Sequence, residues 1–432
     1  MTDTDRPRWL PTPALSAALG TMALLLLLAV TLNRQDLLVI ALPVATGTVV
    51  PLLNRAYRLP ELRTRAGSYR LLEGESTQLD EVLTGPDDVD LVRLRVDLDG
   101  WLALERGAAD LVTTVRAGRP QTLSHRLSTT RWGRGRLEVI RLSATTGHGM
   151  LREQRTVRPA LAFEIVPLRD SFTATDLVPG AVGIVGGHRS LRTGEGVDLA
   201  GVRPFAPGDR LHRINWAVST RTARLHVTST YSDRDTEVVL VIDTSAEIGL
   251  STGVAASSSN IDLSVRAAAA IAEHYLRNGD RVGMLDLARP GRPIRSRTGR
   301  AQLNRLVEQL MDVRVAAVSA QSLSRALSKI SLRALVIVLS PLLSDELAGA
   351  VAELARSGRS VVLVDTLPDN VLLPDPGEWT GLAWRIQLLH RRNLISALAS
   401  FGVPVVAWQG SGSLDEVLIG LSRAAMAPRL HR

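Results

Sequence analysis

Residues 237–247 read EVVLVIDTSAE, an apolar run followed by a polar loop. Its apolar core ends at Asp243, and similar short apolar runs recur downstream between amphipathic stretches. Continuous apolar strands that alternate with helices are typical of a parallel sheet covered on both faces. Strands are predicted at 237–242, 281–287, 334–339, 360–364 and 403–408, and helices at 261–277, 299–311, 344–356, 382–401 and 413–426. The sequence therefore predicts a doubly wound α/β domain over residues 236–432.

The loop after the first strand is the candidate site of this domain. Ligands of open α/β sheets bind at the carboxyl ends of the strands, which places Asp243, Ser245 and Glu247 at that edge. The Gly-rich stretches 183–187 and 410–412 lack the dinucleotide-binding spacing, so NAD and FAD are not expected. A simpler interpretation is that Asp243 and Ser245 cap the turn from strand to helix.

Residues 171–235 form a linker with an unusual run of motifs. A Pro-Gly-Asp turn fixes the chain direction, arginines offer planar forks to carboxylates, and a tryptophan offers an apolar face. Such residues suit a packed, salt-bridged linker between two domains, which is the preferred interpretation, or a surface that docks a partner. The motif and partner-binding candidates are Gly194, Gly196, Arg203, Pro207, Gly208, Asp209, Arg213, Trp216 and Arg221.

The order of these motifs resembles the domain-of-unknown-function-58 family. The resemblance is carried by GEG at 194–196, VRPFAPGD at 202–209, RINW at 213–216, Ser219 and Arg221, and the strand that ends in Asp243-Thr244-Ser245. It implies a membrane protein with a von Willebrand factor A-like domain that is associated with a MoxR-type AAA+ ATPase. The hairpin and β-domain described below agree with the family layout, so the resemblance covers nearly the whole chain.

The resemblance also implies an adhesion-type metal site, in which D-x-S-x-S, a threonine and a later aspartate hold Mg²⁺. Asp243 and Ser245 match this pattern, but Glu247 replaces the second serine and Pro341 stands where the later carboxylate is expected. Since Mg²⁺ requires near-octahedral oxygen ligation, Asp345 or Thr298 would have to substitute over a longer reach. We expect no cofactor, and weak or absent Mg²⁺ binding.

Residues 67–167 change to short alternating apolar runs, such as 89–97 and 136–142. Turn signals at 84–86, 99–100, 117–118 and 132–135 separate these runs at spacings typical of a small β-sandwich. The segment therefore predicts a β-sandwich-like domain with a structural or docking role.

The chain begins with a predicted membrane hairpin over residues 14–53. Residues 14–32 carry no charge, and a second apolar stretch at 37–53 follows after four residues. A cleaved signal peptide is the alternative, but it would have one shorter apolar core and a small-residue cleavage site. Arginines flank both ends of the hairpin, whereas the turn holds only Arg34. The positive-inside rule then places residues 1–13 and everything after the hairpin in the cytoplasm, as in a multi-pass inner (plasma) membrane protein.

Composition excludes several classes of function. The chain of 432 residues has a net charge of +8, yet its aromatic content of 3% leaves few side chains to stack bases, so nucleic acid is not an expected partner. The only lysine is Lys329, which follows no Gly-rich turn, so a P-loop or kinase site is not expected. The absence of cysteine excludes thiol catalysis, Cys-ligated zinc and disulfides. The eight histidines are scattered and form no HExxH pair.

The sequence thus predicts a non-enzymatic, membrane-anchored protein-interaction module. By resemblance, its partner is a MoxR-type ATPase and its process is protein assembly or maturation. Two alternatives stay open at this point: a metal-dependent hydrolase that uses the Asp243 loop, and a purely structural membrane scaffold. The hydrolase lacks a positioned base, a nucleophile and a Gly-rich phosphate loop.

Overall fold

The structure is a computed structural model that describes residues 8–106, 109–168, 190–206, 211, 214–232, 237–254, 257–369, 371 and 377–408. The chain divides into two compact units, Met1–Val166 and Pro167–Arg432. Each unit is built around its own core and is described separately.

The first unit begins with two apolar helices, α1 (Pro13–Thr31) and α2 (Asp36–Leu53), which contact each other. Both are long and apolar enough to cross a membrane. Only 11% of the apolar stretch of α1 and 17% of that of α2 are buried, whereas a core helix of a soluble domain is mostly buried. Proline at the first turn of α1 is compatible with helix initiation. Their length and composition therefore suit insertion as a hairpin.

Both ends of this helix pair are bonded to the same turn of the β-structure. Thr12 Oγ1 donates to the carbonyl of Gly149 at 2.7 Å, and the amide of Ala56 donates to Thr146 Oγ1 at 2.8 Å. Residues 146–151 thus hold the chain just before α1 and just after α2. These bonds fix the base of the helix pair on the β-structure of its own unit.

The rest of the first unit consists of strands that enclose one core. One sheet has seven strands, with β9 pairing to β5, β10 and β11, and the other has the order β2-β4-β8-β6. Alternate residues of both sheets point into a shared apolar cluster that includes Leu79, Leu94 and Phe163. The strands are β1 (Leu10–Pro11), β2 (Glu61–Ala66), β3 (Arg70–Leu72), β4 (Ser76–Thr84), β5 (Val89–Leu98), β6 (Leu102–Arg106), β7 (Asp110–Val115), β8 (Gln121–Thr129), β9 (Gly133–Thr146), β10 (Leu151–Val157) and β11 (Ala162–Val166).

The second unit starts with a two-stranded antiparallel sheet and a short helix. Strand β12 (Ser190–Pro204) pairs with β13 (His226–Ser232), and α3 (Trp216–Thr222) lies between them in the chain. The amide of Asn215 donates to the carbonyl of His226 at 2.8 Å, so the start of α3 is held beside β13.

A six-stranded sheet forms the body of the second unit. Its order is β16-β15-β14-β17-β18-β19, and every neighbouring pair is parallel except β15 with β16. Helices on the sheet bury its apolar strands, which explains their continuous apolar sequences. The strands are β14 (Glu237–Ile242), β15 (Arg281–Asp286), β16 (Ile294–Arg297), β17 (Leu335–Ser340), β18 (Ser360–Asp365) and β19 (Val405–Ala407). The helices are α4 (Asn260–Arg277), α5 (Arg300–Met311), α6 (Ala320–Ser328), α7 (Asp345–Arg356) and α8 (Glu378–Ser400).

The chain is therefore a pair of apolar helices followed by a mixed α/β body. The sheet of the second unit is mixed rather than purely parallel, because β16 pairs antiparallel with β15 at one edge. Helix α8 begins at Glu378, four residues before the predicted start. The predicted helix at 413–426 lies outside the described residues.

Candidate functional site

Strand β14 is central in the six-stranded sheet, and its carboxyl end carries the predicted loop. The order of the sheet reverses at this strand, since β15 and β17 lie on its two sides. Such a reversal is where ligands of open α/β sheets bind. Asp243 follows β14 directly and is buried, whereas Glu247 is exposed four residues later.

Both carboxylate oxygens of Asp243 accept hydrogen bonds from hydroxyl groups of the protein. Ser245 Oγ donates to Oδ1 at 2.6 Å, and the amide of Ser245 donates to the same oxygen at 3.2 Å. Ser340 Oγ, at the end of β17, donates to Oδ2 at 2.6 Å. The loop therefore brings Asp243 and Ser245 together, and a serine from the neighbouring strand joins them.

Ser340 also organises the turn after β17. Its Oγ accepts a hydrogen bond of 2.9 Å from the amide of Leu342, and Leu342 is buried with a φ of 51°. A left-handed backbone is unusual for a branched apolar residue and needs support from its surroundings. The Ser340 hydroxyl supplies part of this support while it holds Asp243, so the two loops are coupled.

A second buried carboxylate, Asp286, lies at the end of β15. Thr244 Oγ1 donates a hydrogen bond to Asp286 Oδ1, and the amide of Ala288 donates to the same oxygen at 3.1 Å. Burial raises the pKa of Asp286, whereas the bonds from Thr244 and Ala288 act in the opposite direction. Asp243 is thus satisfied by donors from its own loop and from the end of β17, and Asp286 by donors from the loops after β14 and β15.

The third carboxylate at this edge, Asp365 at the end of β18, is paired with an arginine. Arg391 of α8 forms an ion pair with Asp365, and its Nε donates to the carbonyl of Pro341 at 2.8 Å. Pro341 contributes only its backbone here. This bridge ties α8 to the ends of β17 and β18.

The other residues considered as metal ligands do not join Asp243. Asp345 bonds to His390 at 2.6 Å, and Thr298 is exposed just before α5. Within the described part of the chain, no group of three or more histidine, aspartate and glutamate residues is arranged to hold a metal ion. Carboxylates and hydroxyls of Asp243, Ser245 and Ser340 are oxygen donors suited to Mg²⁺, but they are directed at one another.

The motif region contributes a rigid framework around α3. Asn215 caps the helix by accepting from the amide of Val218 at 3.2 Å. Ser219 is buried, donates to the Asn215 carbonyl at 2.7 Å and accepts from the amide of His226 at 2.9 Å. These bonds fix the first turn of α3 on β13.

Trp216, the first residue of this helix, has 64% of its surface exposed. Three further large apolar residues of the same region are exposed, and the backbone pairing between 202–205 and 225–228 brings the segments of two of them, Val202 and Leu225, together. The three are Val202, Leu211 and Leu225. Exposed apolar side chains on a well-bonded framework are typical of an interaction surface.

The remaining motif residues are placed as follows. Gly194 and Gly196 lie within β12, Arg203 at its end bonds the Pro204 carbonyl at 3.1 Å, and Arg221 is exposed on α3. Four predicted residues lie outside the described residues: Pro207, Gly208, Asp209 and Arg213.

Residues 201–380 match the family model described as "Protein of unknown function DUF58". This match supports the resemblance to the DUF58 family that the motifs indicated. The DUF58 segment runs from the end of β12 through α3 and most of the six-stranded sheet to the first turn of α8. It therefore includes both the Trp216 region and the Asp243 loop.

Mycobacterial proteins are similar to this chain over a shorter stretch. "Uncharacterized protein Mb1516" of Mycobacterium bovis and "Uncharacterized protein Rv1480" of Mycobacterium tuberculosis are each 39% identical over 100 residues. The match covers 23% of this chain and 31% of each relative. The chain thus spans less than a third of the length of these curated relatives.

A solved structure, the cupredoxin domain of amoB from Nitrosocaldus yellowstonii, has a slight likeness to this chain. Its sequence identity is 9% and its TM-score is 0.18, with coverage of 29% of this chain and 98% of that one. This likeness is too slight to inform the fold.

Sequence reasoning missed part of the polar network in the DUF58 segment. Three strands of the sheet end in polar residues that bond to neighbouring groups: Ser340 to Asp243, Asp286 to Thr244, and Asp365 to Arg391. The available signal was a polar residue directly after an apolar run.

Proposed function

We propose that this chain is a non-enzymatic, membrane-anchored protein-interaction module that acts with a MoxR-type AAA+ ATPase in protein assembly or maturation. The observation that carries the proposal is the 64% exposure of Trp216 on a helix whose first turn is fixed by Asn215 and Ser219. A tryptophan whose backbone is already fixed loses less entropy when it binds than one on a mobile segment, which makes it a suitable anchor for a partner.

The domain that presents this surface is, in our proposal, von Willebrand factor A-like. Support comes from the sheet order β16-β15-β14-β17-β18-β19, with the antiparallel strand at one edge and the Asp243-Thr244-Ser245 loop at the switch point. The MoxR-type partner rests on the family resemblance of the motifs.

We place the chain in the inner membrane as a multi-pass protein with both termini in the cytoplasm. Two apolar helices and the arginines that flank them support this orientation. The bonds from Thr12 and Ala56 to residues 146–149 would hold the first unit close to the membrane surface.

A hydrolase centred on Asp243 and Glu247 has less support. A catalytic carboxylate or metal ligand presents an oxygen lone pair to the substrate, water or ion, and the serine hydroxyls bonded to both oxygens of Asp243 compete for these lone pairs. A structural scaffold would leave Trp216 without a role, since an exposed tryptophan adds little to the stability of its own domain.

Affinity capture from detergent-solubilised membranes, read by mass spectrometry, tests the proposal. The wild-type chain should enrich a MoxR-type ATPase, and Trp216→Ala should lose it. A capture in which the ATPase is missing from the wild-type eluate, or is equally abundant with Trp216→Ala, would contradict the assignment.

A further inference from the structure

Helix α8 carries apolar residues on two opposite faces. Its inner face buries Leu398 and packs Leu394 and Ile395 against the core of the second unit. Its outer face presents a stripe at spacings of three and four residues, which places the members on one line. The α8 stripe consists of Trp379, Leu382, Ile386 and Leu389, exposed by 81%, 48%, 59% and 58%.

The stripe cannot turn inward to escape solvent, because the inner face of α8 is bonded to the loops after β17 and β18. Arg391 pairs with Asp365 and donates to the Pro341 carbonyl at 2.8 Å. Gln387 Nε2 donates to the Leu343 carbonyl at 3.1 Å. The helix therefore holds its four large apolar side chains in a fixed, outward direction.

Basic residues border the stripe. At about 100° per residue, Arg385 and Arg392 lie along one flank of the α8 stripe, and both are exposed. Beyond the helix end, Phe401 is also exposed, and the guanidinium of Arg356 lies 4.7 Å from the centre of its ring. A row of apolar residues with cations beside it matches an in-plane helix at an anionic membrane surface.

We propose that the α8 stripe binds the surface of an anionic lipid bilayer, with its apolar side chains among the acyl chains and Arg385 and Arg392 at the lipid phosphates. The proposal rests on the proposed membrane anchoring, because α1 and α2 would keep the second unit tethered to a bilayer. Positive charge beside the stripe favours a lipid surface over an uncharged apolar partner. Trp379 suits the interface, where an indole keeps one polar end in contact with water.

The natural absence of cysteine allows a direct test on the full chain. Single-cysteine variants Leu382→Cys and Leu389→Cys receive a nitroxide label, and the chain is reconstituted into nanodiscs of phosphatidylethanolamine and phosphatidylglycerol. Power-saturation spectroscopy then compares collisions with oxygen, which enters lipid, and with a water-soluble nickel chelate. Glu353→Cys, exposed on α7, is the matched control on the same unit.

We expect a higher ratio of oxygen to nickel collisions at positions 382 and 389 than at 353. Adding Arg385→Glu and Arg392→Glu, or replacing the lipid with phosphatidylcholine, should lower this ratio toward that of the control. Equal ratios at 382, 389 and 353 would overturn the inference.

Two other occupants have their own signatures, and either would also overturn the inference. Dipolar broadening between labels at 382 would show that a second copy covers the stripe. Shielding that disappears when the chain ends at Trp408 would assign the stripe to residues 409–432. A label at Leu27→Cys in α1 distinguishes failure of the stripe proposal from failure of the membrane anchoring. If the label at 27 is exposed to lipid and the label at 382 to water, only lipid binding by the α8 stripe is contradicted. If the label at 27 is exposed to water, both the anchoring and the lipid binding are contradicted.

Discussion

Ser340 donates a hydrogen bond of 2.6 Å to Asp243, although 97 residues separate them in the chain. The parallel pairing of β14 with β17, in which Ile242 lies opposite Leu339, brings the two residues together. The bond takes up the oxygen of Asp243 that Ser245 leaves unoccupied. An aspartate held by two serines is a structural element of the sheet edge in our account.

Replacing Ser340 with alanine should destabilise the second unit. Asp243 and Ser340 are both buried, so Ser340→Ala leaves a carboxylate oxygen without its donor and the Leu342 amide without its acceptor. Such losses amount to about 1–3 kcal/mol. Hydrogen exchange of the β14 and β17 amides should report faster opening. Ser328→Ala, which removes an exposed hydroxyl, is the control, and equal exchange in both variants would refute the role of Ser340.

Mg²⁺ and Mn²⁺ should stabilise the chain little or not at all. A well-bound ion would add about 2.7 kcal/mol at one hundred times its dissociation constant. Competing hydroxyl donors on Asp243 and the replacement of the later carboxylate by Pro341 both oppose binding. Thermal unfolding with increasing metal measures the effect. A large, saturable shift at micromolar metal that Asp243→Ala abolishes would show that the expectation is wrong.

The sequence predicted the bounds of β14, because they depend on residues adjacent in the chain. It could not reveal Ser340 as a partner of Asp243, since that contact depends on the register of two strands. Strand β16 was missed because IRSR is short and mostly polar, and it is defined by pairing with β15. The position of the Trp216 side chain depends likewise on how α3 is fixed to β13.

The stability of the first unit should fall as pH rises from about 4.5 to 7. Burial raises the pKa of Glu81 from 4.5 to about 7, and His125 Nδ1 lies 3.4 Å from its carboxylate. Below pH 4.5 Glu81 is protonated in both the folded and the unfolded chain. Between pH 4.5 and about 7 only the folded chain retains this proton, so rising pH favours the unfolded chain. The loss is therefore complete above about pH 7 and amounts to about 3 kcal/mol.

Hydrogen exchange of β4 and β8 amides, corrected for intrinsic rates, measures this dependence locally. Glu81→Gln should flatten it between pH 4.5 and 7, while Glu61→Gln, on the exposed face of β2, should leave it unchanged. If hydrogen exchange in the Glu81→Gln variant still depends on pH between 4.5 and 7, a group other than Glu81 causes the loss of stability.

The predicted topology places everything after α2 in the cytoplasm. Arginines at 55, 58, 63 and 65 follow the hairpin. Arginine-rich segments next to membrane-spanning helices stay on the cytoplasmic side. Reporter fusions after Arg65 should be active when the reporter works in the cytoplasm and silent when it requires export. The opposite pattern would reverse the orientation.

The motif region separates residues that hold α3 from the residue that it displays. Ser219→Ala should destabilise the second unit by about 1–3 kcal/mol, because the His226 amide loses its buried acceptor. Trp216→Ala should change stability by at most about 1 kcal/mol, since the side chain is mainly exposed. This contrast departs from the structural role that the sequence favoured for the motif run.

Binding of a purified MoxR-type ATPase from the same genome to the full chain in nanodiscs tests the proposed role of Trp216 as the anchor for this partner. Trp216→Ala should weaken the affinity roughly thirty-fold or more, as expected for an interface anchor worth about 2 kcal/mol. Trp379→Ala, which removes another exposed tryptophan, should leave the affinity unchanged. An affinity that is unchanged in Trp216→Ala, or a wild-type chain that does not bind the ATPase, would contradict the account.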